Sequence, residues 1–223
     1  ENMGIRCRND ALKNHSMNDA LFKETIKEIF NDIRKTPKQK QDTIKEYPTI
    51  SLVTIVHNRK EFFNLSIFNY NTCDYPKDKI EWVIYDSSKD DQCVEKLLPT
   101  LEEREKDNIV YIHNNTILSI GETRNKAVES CSNEIVVFHD DDDFYFPKNV
   151  TKRVEELLYS NKKIVGCTTI GCFNINKCIS FIESNPITND IQDRVSVATL
   201  AFYKSVWEEN KFLDESIGEA SDF

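Results

Sequence analysis

Four carboxylates stand together at Asp140, Asp141, Asp142 and Asp143, just after the apolar run Ile135-Val136-Val137-Phe138. Side by side they repel one another, and crowding costs stability unless solvent or a cation relieves it. A charge run usually marks a solvated face. Here the apolar run before it, and the aromatics and Pro147 after it, confine the four and point to metal binding. Hard oxygen ligands with no histidine–cysteine cluster suit Mg2+ or Mn2+, with a diphosphate supplying the remaining ligands. A calcium loop does not fit: the sixth residue counted from Asp140 is Tyr145 rather than glycine, and the twelfth is Thr151 rather than glutamate.

A sheet must hold such a turn. Ile50-Ser51-Leu52-Val53-Thr54-Ile55-Val56 is too apolar for a half-exposed strand and belongs at the centre of a sheet covered on both faces. A helix through Phe62, Leu65 and Phe68 follows, then a strand over 80–85 that ends at Asp86-Ser87-Ser88. A charged helix carries Val94, Leu97, Leu98 and Leu101, with Pro99 placed to kink or divide it. Residues 109–112 form a third strand. Ser119 and Glu122 match a capping box at the head of a helix with Ala127, Val128 and Cys131 on its core face. After the fourth strand, 135–138, Pro147 can start a helix whose apolar side is Val150, Val154, Leu157 and Leu158. Beyond Lys162, segments 164–167, 172–175, 178–182 and 196–202 read as short strands. The polar loop 183–193 either borders an acceptor pocket or is plain surface.

This alternation implies an α/β fold, a mainly parallel central sheet flanked by helices, with a small antiparallel addition. In open sheets of that kind ligands bind beyond the carboxyl ends of the strands. Asp86 and Asp140 follow such ends and Gly121 opens a helix near the same edge, so three separated features converge there.

At these residues the chain resembles the metal-dependent GT-A glycosyltransferases, most closely the inverting family 2 type, from about residue 48 to the end. The first strand in that family ends in Tyr-Asn-Arg or similar and lines the nucleotide pocket; here it is His57-Asn58-Arg59. The second ends in an aspartate that contacts the base, matched by Asp86. A Gly-x-x-x-Arg-Asn motif is matched by Gly121-Glu122-Thr123-Arg124-Asn125, and Asp-x-Asp-Asp with a proline four positions on by Asp140 to Asp143 and Pro147. The resemblance implies a Rossmann-like GT-A fold and transfer of a sugar, by preference from a UDP-sugar, to a hydroxyl acceptor with inversion. It also implies Mn2+ or Mg2+ at Asp140, Asp142 and Asp143, with Asp142 the principal ligand and Asp140 near the ribose as well. The acceptor is a glycan, a protein or a small molecule.

The residues themselves leave several roles open. Arg124 either binds phosphate or pairs within its helix. Asp86 either accepts from uracil or ribose or caps the loop at Ser87 and Ser88. His57 either touches the nucleotide or is a satisfied strand-end histidine. Trp207 and Phe212 either shape a sugar pocket or, as large aromatics usually do, fill the core. Inversion needs a general base, in the family an acidic residue near the start of a late helix. The matching region here offers Glu219 first and Asp222 second, with Ala220 where the family has aspartate; both residues could equally cap that helix.

Other classes fall away. With 38 Asp plus Glu against 29 Lys plus Arg, the net charge of -9 gives no general help in binding a phosphate backbone, so nucleic acid is not an expected partner. No Gly-x-Gly-x-x-Gly loop or Walker lysine follows the first strand, which argues against a nicotinamide enzyme and an ATPase. A sugar nucleotidyltransferase lacks its glycine-rich phosphate loop, while a binding module without turnover stays open because of Ala220. Seven cysteines in no regular framework suit free thiols in a reducing, cytoplasmic or cytoplasm-facing location. No signal peptide is expected, and no apolar run approaches the roughly 18 residues of a membrane span. Residues 1–47 read as an extension, with an amphipathic helix over 16–34 (Phe22, Ile26, Ile29, Phe30 and Ile33 on one face) that packs on the main domain or a neighbour. Residues 48–223 read as the transferase domain, and the abrupt ends suggest part of a longer protein.

Overall fold

Two seven-residue strands rich in β-branched and aromatic side chains, β1 (Ile50–Val56) and β2 (Ile80–Asp86), lie inside the main sheet. They pair in parallel with Ile50 opposite Ile80 and Val56 opposite Asp86. All their residues are buried except Ile55, as expected of strands covered on both faces. The computed structural model describes residues 44, 46–174, 177–184 and 195–215.

β3 (Ile109–His113) lies parallel to β2, and β4 (Ile135–Phe138) lies parallel to β1 on its other side. After β5 (Ile164–Val165), the hairpin of β6 (Thr169–Asn174) and β7 (Ile179–Ser184) is a compact unit of its own, with Cys172 opposite Phe181. β8 (Ala201–Tyr203) is antiparallel to both β4 and β5. The main sheet therefore has the order β3-β2-β1-β4-β8-β5.

Among the described residues five α-helices accompany it: α1 (Phe63–Thr72), α2 (Leu101–Lys106), α3 (Ile120–Glu129), α4 (Asn149–Tyr159) and α5 (Lys204–Glu209). Strand side chains alternate between faces, and the core divides accordingly. Leu52, Ile84 and Val137 pack with Phe63 and Tyr70 of α1 and Val150, Val154 and Leu157 of α4. Val53, Val83, Val136 and Phe138 pack with Ala127 and Val128 of α3, Trp207 of α5 and Phe212. Trp207 and Phe212 are thus core residues, the second of the two readings.

The helices differ from expectation in detail. α1 buries Phe63, Ser66, Asn69 and Tyr70, while Phe62 and Phe68 are 48% and 50% exposed. Its inner face is partly polar because it meets the backbone of the aspartate turn. Pro99 divides the charged segment into a 3-10 turn (Glu95–Leu97) and α2, which Thr100 and Glu103 start with reciprocal caps. α4 begins at Asn149, two residues beyond Pro147, and its Leu158 is exposed. Of the four short strands, segments 164–167 and 196–202 contribute β5 and β8 to the main sheet, the latter after a 3-10 turn (Val197–Thr199), whereas the other two pair with each other. Among the described residues no helix is long and apolar enough to cross a membrane, and the described cysteines are free. The expected helix over 16–34 and the candidate bases Glu219 and Asp222 lie outside the described residues, as do 185–194 of the polar loop.

Candidate functional site

The chain leaves β1 toward β2 and β3 and then returns to place β4 on the opposite side of β1. At such a reversal neighbouring connections diverge and leave a crevice beyond the carboxyl ends of the strands. Three candidate segments open onto it: 57–59 after β1, Asp86 at the end of β2, and 140–143 after β4.

The β1 and β2 ends are tied together. His57 Nδ1 lies 3.1 Å from the Ser87 carbonyl, so it carries the proton, and Nε2 accepts from Asn58 Nδ2 at 3.1 Å. Asn58 adopts φ 53, a left-handed conformation that asparagine tolerates. Its N–H donates to Ser88 Oγ at 2.7 Å and its Oδ1 accepts from Lys89 N–H at 3.0 Å. The Asp86 carboxylate, fully buried, accepts from the N–H groups of Ser88 (2.9 Å) and Val94 (2.8 Å) and from the Tyr111 hydroxyl (3.0 Å). Capping the loop is therefore the role its contacts display. Burial, and next the Asp86 charge, hold the Tyr111 phenol well above its ordinary value.

The four aspartates diverge. Asp140 faces Arg124 of α3 at 3.6 Å, whereas Asp141 and Asp142 both meet Arg59 Nη1, the former at 3.3 Å. Arg124 is buried and lies over the Phe138 ring at 5.1 Å. It thus reaches β4 and the turn. Asp142 and Asp143 are the open members, the Asp142 side chain 44% exposed, while Asp141 is buried.

The backbone of this turn is held by side chains that sequence reasoning did not single out. Asn69 Nδ2 donates to the Asp143 carbonyl at 2.7 Å, and Asn69 Oδ1 accepts from Tyr145 N–H at 3.1 Å. Ser66 Oγ donates to the Asp141 carbonyl at 3.3 Å. The Tyr145 hydroxyl accepts from Asp140 N–H and donates to the Ala198 carbonyl, both at 3.0 Å. Arg153 Nη1 donates to the carbonyls of Phe138 (2.8 Å) and Leu200 (3.2 Å), fixing β4 to β8 just before the turn. Ser66 and Asn69 lie three residues apart on the buried face of α1 with Phe63 and Tyr70, but Asn64, Asn71 and Thr72 are polar as well, so the sequence of the helix does not set the pair apart.

Burial pushes the Asp141 carboxyl up to about 7, with Arg59 opposing and Asp142 and Asp140 adding to the rise. Asp140 is raised by burial against the pull of Arg124, and Asp143 by burial and the Asp140 charge. Among the described residues no three His, Cys, Asp or Glu side chains converge into a metal-holding group, so Asp140, Asp142 and Asp143 are not brought together as a ligand set. Consecutive residues of a turn point in different directions, and two arginines take up part of the charge. The chemistry of the turn nevertheless fits a hard cation. Asp141 Oδ2 is buried without a hydrogen-bond partner, and burial, with the neighbouring carboxylates adding, disfavours the charged form of the turn's carboxyls, a cost that a divalent ion relieves.

The start of α3 meets the end of the described chain. Ser119 Oγ accepts from Glu122 N–H at 3.0 Å and donates to Asp214 Oδ1 at 2.7 Å, while Gly121 N–H donates to the Glu215 carbonyl at 3.0 Å. Asn125, the last residue of the Gly-x-x-x-Arg-Asn motif, anchors that segment. It accepts from Trp207 Nε1 and Phe212 N–H at 2.8 and 3.0 Å and donates to the Phe212 carbonyl at 2.8 Å.

Comparison with known proteins identifies the family and the fold. The model of Glycosyl transferase family 2 matches residues 51–199. Mannosyltransferase PcManGT from Pyrobaculum calidifontis, solved in complex with GDP-Man and Mn2+, is similar with a TM-score of 0.61 and 19% identity, over 91% of this chain and 58% of its own. S. aureus TarS 1-349 in complex with UDP gives 0.61 and 16% over 77% and 53%, and in complex with UDP-GlcNAc 0.56 and 14% over the same shares. At such identities the likeness is one of fold, and the chain spans little more than half the length of these structures. No curated protein sequence matches. The family model covers well over half of the residues, and its span runs from β1 through the aspartate turn to the 3-10 turn before β8: the chain belongs to glycosyl transferase family 2.

Proposed function

We propose that the chain transfers a sugar from a nucleotide donor, a UDP-sugar, to a hydroxyl acceptor with inversion at the anomeric carbon. The observation that carries this reading is the meeting of Arg59, Arg124 and the aspartate turn beyond the carboxyl ends of β1 and β4. Arg124, buried beside Asp140, and Arg59, bridging Asp141 and Asp142, bring two guanidinium groups to the side where a diphosphate would lie, a task to which forked donors are suited. Mn2+ or Mg2+ would be held by Asp140, Asp142 and Asp143 and, when bound, neutralises charge on the departing nucleoside diphosphate. His57 and Asn58 keep the β1 and β2 ends together as one wall of the nucleotide pocket, and the Asp86 cap keeps the loop beside it in place. Glu219, with Asp222 as the second choice, would take the acceptor proton. The contacts of Ser119, Gly121 and Asn125 direct the preceding segment to the start of α3, the helix that carries Arg124. The free thiols suit a cytoplasm-facing location.

Ala220, where the family has aspartate, favours a second reading in which the donor is bound without turnover. One experiment separates the two: a screen of UDP- and GDP-sugars with Mn2+, read by donor hydrolysis and thermal shift. Transfer predicts slow hydrolysis of a UDP-sugar that Glu219→Gln lowers by about 10²-fold or more. Binding with no hydrolysis of any donor in the wild type, and no transfer to any acceptor, leaves only the binding module.

A further inference from the structure

The carboxyl edge of the sheet carries a cavity of about 370 Å³ apart from the β1–β4 crevice. It lies between the first turns of α4 and the end of β5, with Phe146, Lys148, Lys152, Arg153, Glu156 and Cys167 among its walls. Because β5 is antiparallel to β8 and β8 to β4, β5 runs parallel to β4. Cys167 therefore emerges on the same edge as Asp140, two strand spacings or about 10 Å across the sheet.

Three observations on this wall call for an anion. The side chains named carry three positive charges against one negative, in a chain of net charge -9. α4 has 11 residues, no side chain caps it at Lys148, and its first turn holds no acidic residue, so cations crowd the positive end of the helix dipole. Lys152 shares its charge with Glu155, and Asp74, which accepts from Thr151 Oγ1 at 2.5 Å, is not part of the lining. Arg153 is only 6% exposed; beyond its two carbonyl contacts through Nη1, its Nε and Nη2 are buried without hydrogen-bond partners. Idle buried donors are costly, and an anionic oxygen that reaches them removes the cost.

We propose that this cavity binds a phosphate or carboxylate carried by the acceptor, so that the transferase acts on an acidic rather than a neutral acceptor. The proposal rests on the glycosyltransferase reading for its acceptor part only. An acceptor anchored here by its anionic group reaches across β8 and β4 to the donor site, a span of more than about 10 Å, which selects substrates by the distance between charge and hydroxyl.

Cys167, exposed and in the cavity wall, supplies the readout. Its alkylation by N-ethylmaleimide is followed by peptide mass in wild-type protein with inorganic phosphate or with sodium chloride at equal ionic strength. A site with a dissociation constant of about 1 mM slows Cys167 about ten-fold at about 10 mM phosphate, and Lys148→Gln/Lys152→Gln removes that slowing. Equal slowing by chloride, or slowing that persists in the double variant, overturns the site. Transfer assays then identify the source. An acceptor-borne group requires that phosphate compete with phosphate- or carboxylate-bearing sugar acceptors; protection of Cys167 without such competition assigns the cavity to free phosphate and overturns the acceptor part. Mn2+-dependent UDP binding on the same wild-type sample reports on the donor reading separately, since its absence beside intact protection removes the transferase and keeps the anion site.

Discussion

Replacing Asn69 by alanine tests whether α1 holds the aspartate turn. The side chain is 2% exposed and makes two bonds, to the Asp143 carbonyl at 2.7 Å and from the Tyr145 N–H at 3.1 Å. Alanine leaves one backbone acceptor and one backbone donor without partners, each costing about 1–3 kcal/mol where water cannot reach. Because the Asp143 end of the turn is exposed and Tyr145 is buried, most of the loss falls on Tyr145, and about 2–4 kcal/mol is expected in all. At roughly 2–4 °C per kcal/mol for a chain of this size, the thermal midpoint should fall by about 5–15 °C. Ser66 and the Tyr145 hydroxyl still hold Asp141 and Asp140, so the protein folds, but the turn is looser and UDP binding with Mn2+ should weaken about ten-fold or more. Scanning calorimetry and isothermal titration read the two effects, and Asn69→Asp, which keeps the acceptor for Tyr145, should lie between. A variant that melts within about 1 °C of wild type and binds UDP equally well refutes the idea that α1 positions the turn.

Three further outcomes follow from the same contacts. With its folded pKa raised to about 7, Asp141 takes up a proton on folding between its unfolded value of about 3.9 and 7, so it favours the folded state most at low pH, an advantage lost as pH rises through 7. Stabilisation by Mn2+ should accordingly be larger at pH 8 than at pH 5.5, and Asp141→Asn should flatten the pH dependence of the metal-free melt; a Mn2+ effect that shrinks with pH contradicts this. Tyr111→Phe removes one of three donors to Asp86 and should cost about 1.5–3 kcal/mol in urea melts with little change in UDP affinity, whereas a large affinity loss with unchanged stability would place Asp86 at the base and not at the loop. Arg153→Met should lower stability by a few kcal/mol, because the Phe138 and Leu200 carbonyls lose a shared buried donor.

β4 is legible in the sequence as a continuous apolar run, and β1 and β2 as β-branched-rich runs interrupted by Ser51, Thr54 and Glu81, while the apolar spacing of α3 and α4 marks their inner faces. The inner face of α1 is not legible. Its partners are carbonyls of a turn 75 residues away for Ser66, and no local pattern distinguishes a polar side chain that reaches them from one facing water. The site divides in the same way. Asp140 to Asp143, Arg59, Arg124 and Asp86 stand out by type and position, but their pairing does not: Arg59 bridges two aspartates 82 and 83 residues on, and Asp86 turns inward to cap a loop. Asn125 shows the reverse case, a motif residue whose hold on Trp207 and Phe212 depends on a chain segment that returns only after β8.

The claim at the centre of this account is that the aspartate turn forms a metal-dependent nucleotide site. Titration of UDP into wild type and Asp142→Asn, each with and without Mn2+, tests it most directly. Mn2+ should tighten UDP binding to the wild type by about ten-fold or more, which is at least about 1.4 kcal/mol, and should do nothing for the variant. Equally tight, metal-independent binding to both proteins would contradict it.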